Sequence, residues 1–154
     1  NTHISKKIKN VAICPGASTN IKRWNLNYFL EVGNFLIKKK FTPVFIIGPN
    51  EFDMIPLIKK SLKFSKIIKS TDPLKTIKIS KTCKFGISND TGCGHLISAS
   101  GIPILTIFGP TSSEKFSPIG NMHNKIISSQ KNHLSKNINL ISPAEVIKAI
   151  TPLL

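Results

Sequence analysis

The sequence predicts an α/β fold: a doubly wound domain built on a parallel sheet. Short, apolar, β-rich runs alternate along its 154 residues with segments of helical periodicity. The second run, Pro43–Ile47, is typical of a strand buried on both faces of a parallel sheet, and Gly48 and Pro49 end it. In such sheets ligands bind at the carboxyl ends of the strands, where loops lead into helices.

The first half of the chain opens with strand Val11–Cys14, which runs into Pro15 and Gly16. A helix is predicted from Leu26, because apolar residues recur there at helical spacing and Asn25 is placed as an N-cap. The other elements predicted in this half are, in order, strand Pro43–Ile47, a helix from about Glu51 to Leu62 that Pro56 interrupts, strand Lys66–Ile68 and helix Pro73–Lys81.

The second half continues the alternation and ends in a helix over Pro143–Ile150, for which Ser142 is placed as the cap. A loop rich in Pro, Gly and Ser is predicted over residues 109–123. The remaining elements are, in order, strand Phe85–Ser88, a helix from about Gly92 to Ser100, and strands Ile104–Phe108 and Lys125–Ser128.

The chain divides into a basic lead-in, residues 1–10, and one domain, residues 11–154. The lead-in lacks the apolar centre of a signal peptide, and no run of about 18 or more apolar residues could span a membrane. Three cysteines, with no Cys-x-x-Cys spacing, predict reduced thiols in a cytoplasmic protein: Cys14, Cys83 and Cys93.

The formal net charge of +15 suggests nucleic-acid binding, but the pattern of charges argues against it. Only Arg23 among the 22 basic residues is arginine, and the lysines are scattered without an aromatic platform for bases. A solvated lysine surface explains them, and contact with an anionic membrane surface is the alternative.

The loop after the first strand, Pro15–Trp24, has the composition of an anion site. Ser18 and Thr19 offer hydroxyls and amides, while Lys22 and Arg23 add positive charge before a helix begins. An ordinary basic surface loop is the alternative, although an arginine in so arginine-poor a chain favours a forked contact. Trp24 is predicted to be a packing anchor and not a stacking platform.

The loop Ser88–His95 also follows a strand and opens a helix. Asn89, Asp90 and Thr91 are good caps, and Gly92 leaves room for a ligand beside amides that could hold a phosphate. Asp90 would repel a phosphate and suits the hydroxyls of a sugar. His95, in the first turn, is either a structural hydrogen-bonding group or a donor to a phosphate oxygen.

Two weaker signals follow other strands. Thr111, in the loop Phe108–Pro118, could offer its hydroxyl, although a Gly-Pro turn is usually only a turn. Glu51 could accept a ribose hydroxyl or simply be an acid in the first turn of a helix. No nucleophile elbow with a Ser-His-Asp order and no metal-ligand spacing is present, so the loops indicate a nucleotide-sugar cleft and not a hydrolytic or metal site.

These motifs resemble the C-terminal domain of glycosyltransferase family 9, the heptosyltransferases. The similar segments are PGAS followed by KRW, a Gly-x-x-Glu from Gly48 to Glu51, and SNDTGCGHLISASGIPILTIFGPT. Coverage runs from about Val11 to the closing helix. The resemblance implies a Rossmann-like half of a GT-B enzyme that inverts the anomeric carbon and needs neither metal nor cofactor. Asn25 departs from it, since the family commonly has proline after the tryptophan.

The resemblance also implies residue roles. Ser18, Thr19 and Lys22 would hold the donor pyrophosphate with Thr91 and Gly92, and Lys22 would stabilise the departing diphosphate. Asp90 would contact the sugar, Glu51 the ribose, and His95 the loop or the phosphates. The catalytic residues implied in this chain are Lys22 and Asp90; Arg23 and Thr111 complete the donor-binding set.

In the family, the general base and the acceptor site belong to an N-terminal domain, which nothing before Val11 could supply. We therefore expect this chain to bind a donor, ADP-heptose in the best-known members, and to transfer nothing alone. The implied acceptor is a lipid-linked, lipopolysaccharide-type saccharide, reached through the missing domain at the inner face of the inner membrane. A stand-alone binding module without catalysis is the alternative, and a nucleic-acid-binding protein is a third reading.

Overall fold

A computed structural model of the protein describes residues 7–113 and 124–154. Within them, six strands form one parallel sheet in the order β3-β2-β1-β4-β5-β6. The strands are β1 (Asn10–Cys14), β2 (Thr42–Ile47), β3 (Lys66–Lys69), β4 (Cys83–Asn89), β5 (Ile104–Phe108) and β6 (Lys125–Ser128). The helices are α1 (Leu26–Lys38), α2 (Ile55–Ser61), α3 (Pro73–Ser80), α4 (Gly92–Ala99), α5 (Ser129–His133) and α6 (Pro143–Ile150). The predicted doubly wound α/β class is confirmed.

The strand order reverses between β1 and β4, which pair directly from Val11 opposite Phe85 to Cys14 opposite Ser88. The chain builds outward from β1 through β2 to β3 on one side, and from β4 through β5 to β6 on the other. Loops that leave β1 and β4 therefore diverge and open a crevice at the carboxyl edge of the sheet.

Both faces of the sheet are covered by helices, and the alternation of side chains along each strand assigns them. On β1, Val11 and Ile13 face the larger apolar cluster, which includes residues of α1, α2 and α6. Ala12 and Cys14 point to the opposite face, where Ile97 of α4 packs against the sheet.

Trp24 is fully buried and anchors the start of α1. Its indole Nε1 donates to the Ile141 carbonyl at 2.9 Å, and its ring meets Phe29 edge-to-face at a centroid distance of 4.9 Å. The prediction that Trp24 is a packing anchor is confirmed. Asn25 then caps α1, because its side chain accepts from the Asn27 amide at 2.9 Å.

The helix predicted from about Glu51 to Leu62, with an interruption at Pro56, is confirmed for its second part and wrong for its first. The chain forms a 3₁₀ turn over Pro49–Met54 and only then α2, with Pro56 in its first turn. Proline lacks the amide that a continuous helix would need at that position, so the α-helix begins beside it. Helix α5 was not predicted because its sequence, SQKNH, has no apolar periodicity. Of the predicted loop, residues 114–123 lie outside the described ranges, as do residues 1–6 of the lead-in.

The lysines of the described ranges are exposed, apart from the partly exposed Lys22 and Lys125. Their exposure agrees with the predicted solvated lysine surface. Within the same ranges, no helix is long and apolar enough to cross a membrane.

A capping box stabilises the amino end of α6, the last α-helix. The Glu145 amide donates to Ser142 Oγ at 3.1 Å, and the Ser142 amide donates to Glu145 Oε1 at 3.2 Å. His133 Nε2 of α5 lies 2.7 Å from the same Glu145 oxygen. Burial alone would raise the pKa of the Glu145 carboxyl, but the hydrogen bonds from Ser142 and His133 outweigh it and lower that pKa below its ordinary 4.5.

Glu145 should therefore make stability depend on pH in the acidic range. A carboxyl whose folded pKa is depressed contributes stability above its unfolded pKa of 4.5 and loses that contribution as pH falls through the folded value. Denaturant unfolding from pH 7 to pH 3 measures this contribution as the difference between wild type and Glu145→Gln. The difference should shrink as pH falls below 4.5; a difference that stays constant from pH 4.5 down to pH 3 contradicts it.

Candidate functional site

A pocket of about 310 Å³ lies at the carboxyl ends of β1, β2 and β3, beside the first turn of α4. Its wall combines hydroxyls, the carboxylates of Glu51 and Asp72, and small residues such as Gly16 and Gly48. The full set of lining residues is Cys14, Gly16, Ala17, Ser18, Ile46, Gly48, Asn50, Glu51, Ser70, Thr71, Asp72, Pro73, Thr76, Thr91, Cys93 and Leu96. The pocket thus lies on the β1 side of the reversal point of the sheet, where a doubly wound fold binds ligands.

Glu51 lies against the loop that follows β1. A Cβ atom added at Gly16 would fall 2.5 Å from the Glu51 carboxyl carbon, so a side chain at this position would displace the Glu51 carboxylate. Arg23 Nη2 lies 3.7 Å from Glu51 Oε1 and also donates to the Ala17 carbonyl at 3.3 Å. Arg23 therefore links the β1 loop to the 3₁₀ turn after β2 and keeps the Glu51 carboxylate at the pocket.

Asn89, the last residue of β4, is fully buried beneath the β1 loop. Its Nδ2 donates to the carbonyls of Pro15 and Gly16, both at 3.1 Å, and its Oδ1 accepts from the Trp24 amide at 3.0 Å. These three bonds hold both ends of the loop against β4. Sequence analysis treated Asn89 only as a good cap and missed this role.

Thr91 is the N-cap of α4, since its Oγ1 accepts from the Gly94 amide at 3.1 Å. Gly94 lies directly over the end of β4, because a Cβ there would overlap Ser88 Oγ. At Gly92, an added Cβ would meet nothing within 4 Å, so the space beside this residue is open. The first turn of α4 consequently presents free space and backbone amides next to the pocket.

Asp90 and Thr111 form a pair on the other side of this turn, with Thr111 Oγ1 donating to Asp90 Oδ2 at 2.8 Å. Gln130 Nε2 of α5 fixes the same loop, since it donates to the Gly109 carbonyl at 2.7 Å and to the Thr111 carbonyl at 3.3 Å. Thr111 also lines a second, polar cavity of about 410 Å³ with Lys131.

The structure brings only some of the predicted residues to one pocket. Ser18, Glu51 and Thr91 line it, and Arg23 contacts it through Glu51. The predicted residues that do not line it are Thr19, Lys22, Asp90, Gly92, His95 and Thr111. Thr19 and Lys22 lie within the β1 loop, Thr19 as the N-cap and Lys22 as the last residue of its 3₁₀ turn, Asn20–Lys22. Thr19 is exposed, Lys22 is partly exposed, and His95 is exposed on α4.

Sequence analysis missed the part of the pocket that follows β3. Ser70, Thr71 and Asp72 line it there, as does Thr76 of α3. Ser70 Oγ and Thr76 Oγ1 are hydrogen-bonded at 2.8 Å, and Asp72 caps α3 by accepting from the Leu74 amide at 3.0 Å. The polar run STDP directly after a short strand was the available signal, on the same rule that singled out the other loops.

The prediction of three reduced thiols is wrong for Cys14 and Cys93, which form a disulfide. The two residues are 79 positions apart in sequence, yet their Cα atoms lie 6.4 Å apart because the end of β1 meets the first turn of α4. Cys83, buried at the amino end of β4, is a free thiol as predicted. Burial raises the pKa of that thiol.

The described ranges contain no group of three or more His, Cys, Asp or Glu residues that could hold a metal ion. What they do contain is a doubly wound sheet with an open pocket at its reversal point, a helix N-terminus beside it, and a carboxylate opposite. Together these features are those of a doubly wound α/β domain with a candidate ligand site at the carboxyl edge of its sheet.

Comparison with known proteins gives the family. The sequence model of glycosyltransferase family 9 (heptosyltransferase) matches residues 1–142. The chain belongs to glycosyltransferase family 9.

Individual relatives agree with this assignment. Lipooligosaccharide heptosyltransferase 2 of Campylobacter jejuni is 31% identical in an alignment of 128 residues that covers 79% of this chain and 40% of that protein. A family 9 glycosyltransferase from Veillonella parvula superposes with a TM-score of 0.82 at 21% identity, over 94% of this chain and 45% of that one. The E. coli heptosyltransferase WaaC with ADP gives a TM-score of 0.84 at 16% identity, over 95% and 44% of the two chains. The chain thus spans less than half the length of these proteins, and the two structural matches describe a shared fold.

Replacing Asn89 with Asp should destabilise the protein, because a carboxylate would face the Pro15 and Gly16 carbonyls to which Nδ2 now donates. We expect the free energy of unfolding to fall by roughly 2–4 kcal/mol, as for a buried polar group that loses its partners. Urea unfolding at pH 7 measures the change. Asn139→Asp is the matched control, since Asn139 Oδ1 accepts from the exposed Asn25 amide at 2.8 Å and the carboxylate keeps that acceptor. Equal stability of the two variants would refute the role given to Asn89.

Proposed function

We propose that this chain is the donor-binding part of a glycosyltransferase that transfers a sugar from a nucleotide sugar, with inversion and without a metal, to a lipopolysaccharide-type acceptor. One observation carries the proposal. Three residues chosen from sequence for donor binding, Ser18, Glu51 and Thr91, come from three separate loops and line one pocket at the reversal point of the sheet.

The nucleoside belongs in the pocket itself. Glu51 accepts hydrogen bonds from the ribose hydroxyls, and Arg23 holds its carboxylate in place from 3.7 Å. The base lies deeper, toward the polar residues after β3. ADP-heptose is the donor we propose, because the family resemblance implies it and because the superposed E. coli WaaC structure was determined with ADP.

The diphosphate lies between the β1 loop and the first turn of α4. Ser18 and Thr19 contact it from one side, and the Thr91 hydroxyl and the amide at Gly92 from the other, where the helix dipole favours an anion. Lys22, at the rim, reaches in to neutralise the charge that develops on the departing diphosphate. His95 supports this turn or donates to a phosphate oxygen.

The sugar extends past the start of α4 toward Asp90. The Asp90 carboxylate accepts hydrogen bonds from sugar hydroxyls, and Thr111, which donates to it at 2.8 Å, fixes its orientation. Lys22 and Asp90 are then the two residues of this chain that act directly on the donor during transfer.

The general base and the acceptor site belong to an N-terminal domain of the complete enzyme. Without that domain, residues 11–154 bind donor and transfer nothing. We place the enzyme in the cytoplasm at the inner face of the inner membrane, where a lipid-linked acceptor is reached. The lysine-rich surface would favour contact with anionic lipids.

Calorimetric titration with ADP, UDP, GDP and CDP tests the proposal, and Lys22→Ala is the first variant. ADP should bind in preference to the other nucleotides. Loss of Lys22 should weaken ADP binding by about 1.5–3 kcal/mol, because a charge-assisted contact to phosphate is removed.

Lys38→Ala is the control for this variant, since Lys38 is an exposed lysine at the far end of α1, and it should bind ADP like wild type. Preference for another base would retain a donor domain with a different nucleotide. The absence of binding by all four nucleotides at millimolar concentration would contradict donor binding by this chain.

Glu51 should make the site sensitive to the ribose hydroxyls. For wild type, removal of the contacted hydroxyl, tested with 2′-deoxy-ADP and 3′-deoxy-ADP, should weaken binding about tenfold. Glu51→Gln should reduce that discrimination, because a neutral amide accepts more weakly than a carboxylate. Asp53→Asn, an exposed acid in the same 3₁₀ turn, should discriminate as wild type does. Unchanged discrimination in Glu51→Gln would remove Glu51 from the ribose site.

A further inference from the structure

Cys14 and Cys93 both line the pocket, and their disulfide joins its two phosphate-facing segments. Cys14 ends β1, four residues before Ser18, and Cys93 follows Thr91 by two residues in α4. Donor binding as described gives these two sulfur atoms no part.

We propose that Cys14 and Cys93 are a reversible thiol–disulfide site in the wall of the pocket, oxidised by low-molecular-weight disulfides such as glutathione disulfide. The disulfide form binds nucleotide more tightly than the dithiol form. The coupling to nucleotide rests on the proposed function, whereas the thiol chemistry does not.

The two thiols differ in solvent exposure, and this difference determines which of them reacts first. Cys14 is 1% exposed, whereas Cys93 is partly exposed in the first turn of α4. The amino end of a helix also favours a thiolate. The Cys93 thiolate attacks one sulfur of glutathione disulfide and releases one glutathione thiolate, which leaves a mixed disulfide on Cys93. The Cys14 thiolate then attacks the Cys93 sulfur and releases the second glutathione thiolate.

The electrons and atoms balance in this exchange. Two protein thiols are oxidised to one disulfide, one glutathione disulfide is reduced to two glutathione molecules, and the two protons lost by the protein thiols are taken up by those thiolates. Reduction by glutathione is the reverse. The Cα separation of 6.4 Å is within the range that a disulfide spans, so the strand and the helix in the positions described here accommodate the bond.

The bond should affect nucleotide binding through the geometry of the pocket. It links the end of β1 to α4, and so holds the loop of Ser18 at a constant separation from Thr91. Two unbonded thiols need more room than a disulfide, because their sulfur atoms lie at van der Waals separation, and the turn of α4 must shift to provide it. A site that is already arranged for its ligand binds it more tightly. Since the coupling is reciprocal, bound nucleotide must favour the disulfide to the same extent.

The thiol chemistry is tested first, in the Cys83→Ser variant, where only the pair remains. Cys83 is suited to removal because it is buried at the amino end of β4, away from the pocket, and its thiol donates only weakly to the Ile79 carbonyl at 3.5 Å. The folded variant is equilibrated in glutathione buffers of increasing oxidised fraction, quenched with acid, unfolded, labelled with a maleimide and weighed by mass spectrometry.

Two labelled thiols in reducing buffer and none in oxidising buffer, without retained glutathione, is the expected result. Two labelled thiols in every buffer, or a stable glutathione adduct, would overturn the reversible disulfide. A pair that stays unlabelled in every buffer would overturn its reversibility. This readout uses no nucleotide, so it stands whatever becomes of the proposed function.

The coupling is tested by titrating ADP into the oxidised and the reduced forms of the same variant. The oxidised form should bind at least about fivefold more tightly, as for an ordinary allosteric coupling. The triple variant Cys14→Ser, Cys83→Ser, Cys93→Ser should bind with one affinity in both buffers. Equal affinities of the oxidised and reduced forms would overturn the coupling alone. Failure of both forms to bind any nucleotide would overturn the proposed function and the coupling, while the labelling result continues to decide the disulfide.

Discussion

The buried side chain of Asn89 donates two hydrogen bonds and accepts a third, and the candidate site depends on all three. An amide side chain is required there, because the Pro15 and Gly16 carbonyls need a donor while the Trp24 amide needs an acceptor. The bonds fix the β1 loop at its beginning and its end, on either side of the residues that would contact a phosphate. Between these two fixed points, Ser18 and Thr19 can be exposed while the loop keeps its conformation. Asn89 thus supports the loop from β4, in addition to the contact that Arg23 makes with the Ala17 carbonyl inside the loop.

That group lies where it does because of the strand order. Since β1 and β4 are neighbours, with Cys14 opposite Ser88, the residue at the end of β4 lies directly beneath the loop that leaves β1. The same adjacency brings Cys93 to Cys14. The path of the β1 loop, its support by Asn89 and the disulfide therefore all result from one pairing at the reversal point of the sheet.

Charge in this protein has two separate roles. Most lysines are exposed and set a strongly basic surface, with a net charge of +15 that bears on solubility and on contact with anionic surfaces. Arg23, the single arginine, instead makes two local contacts, with Glu51 and with the Ala17 carbonyl. A guanidinium has several donors in one plane and can satisfy both partners at once, which an ammonium group does less well. The local contact, and not the overall charge, organises the site.

The sequence by itself determined the fold class, the strands and the loops that matter. Alternating apolar runs and helical periods depend on local spacing, and caps such as Asn25 and Ser142 are local as well, so their predicted positions agree with the structure. Family membership also followed from contiguous motifs. Pro56 was recognised as an interruption, although the 3₁₀ turn that replaces the first part of the helix was not.

Only the tertiary structure decided which distant residues meet. It placed Asn89 under the β1 loop, paired Thr111 with Asp90, and joined two cysteines 79 positions apart. None of these follows from local spacing, because each contact depends on the lateral order of strands in the sheet. Composition and periodicity say that a segment is a strand; its neighbours in the sheet are selected by the packing of the whole chain.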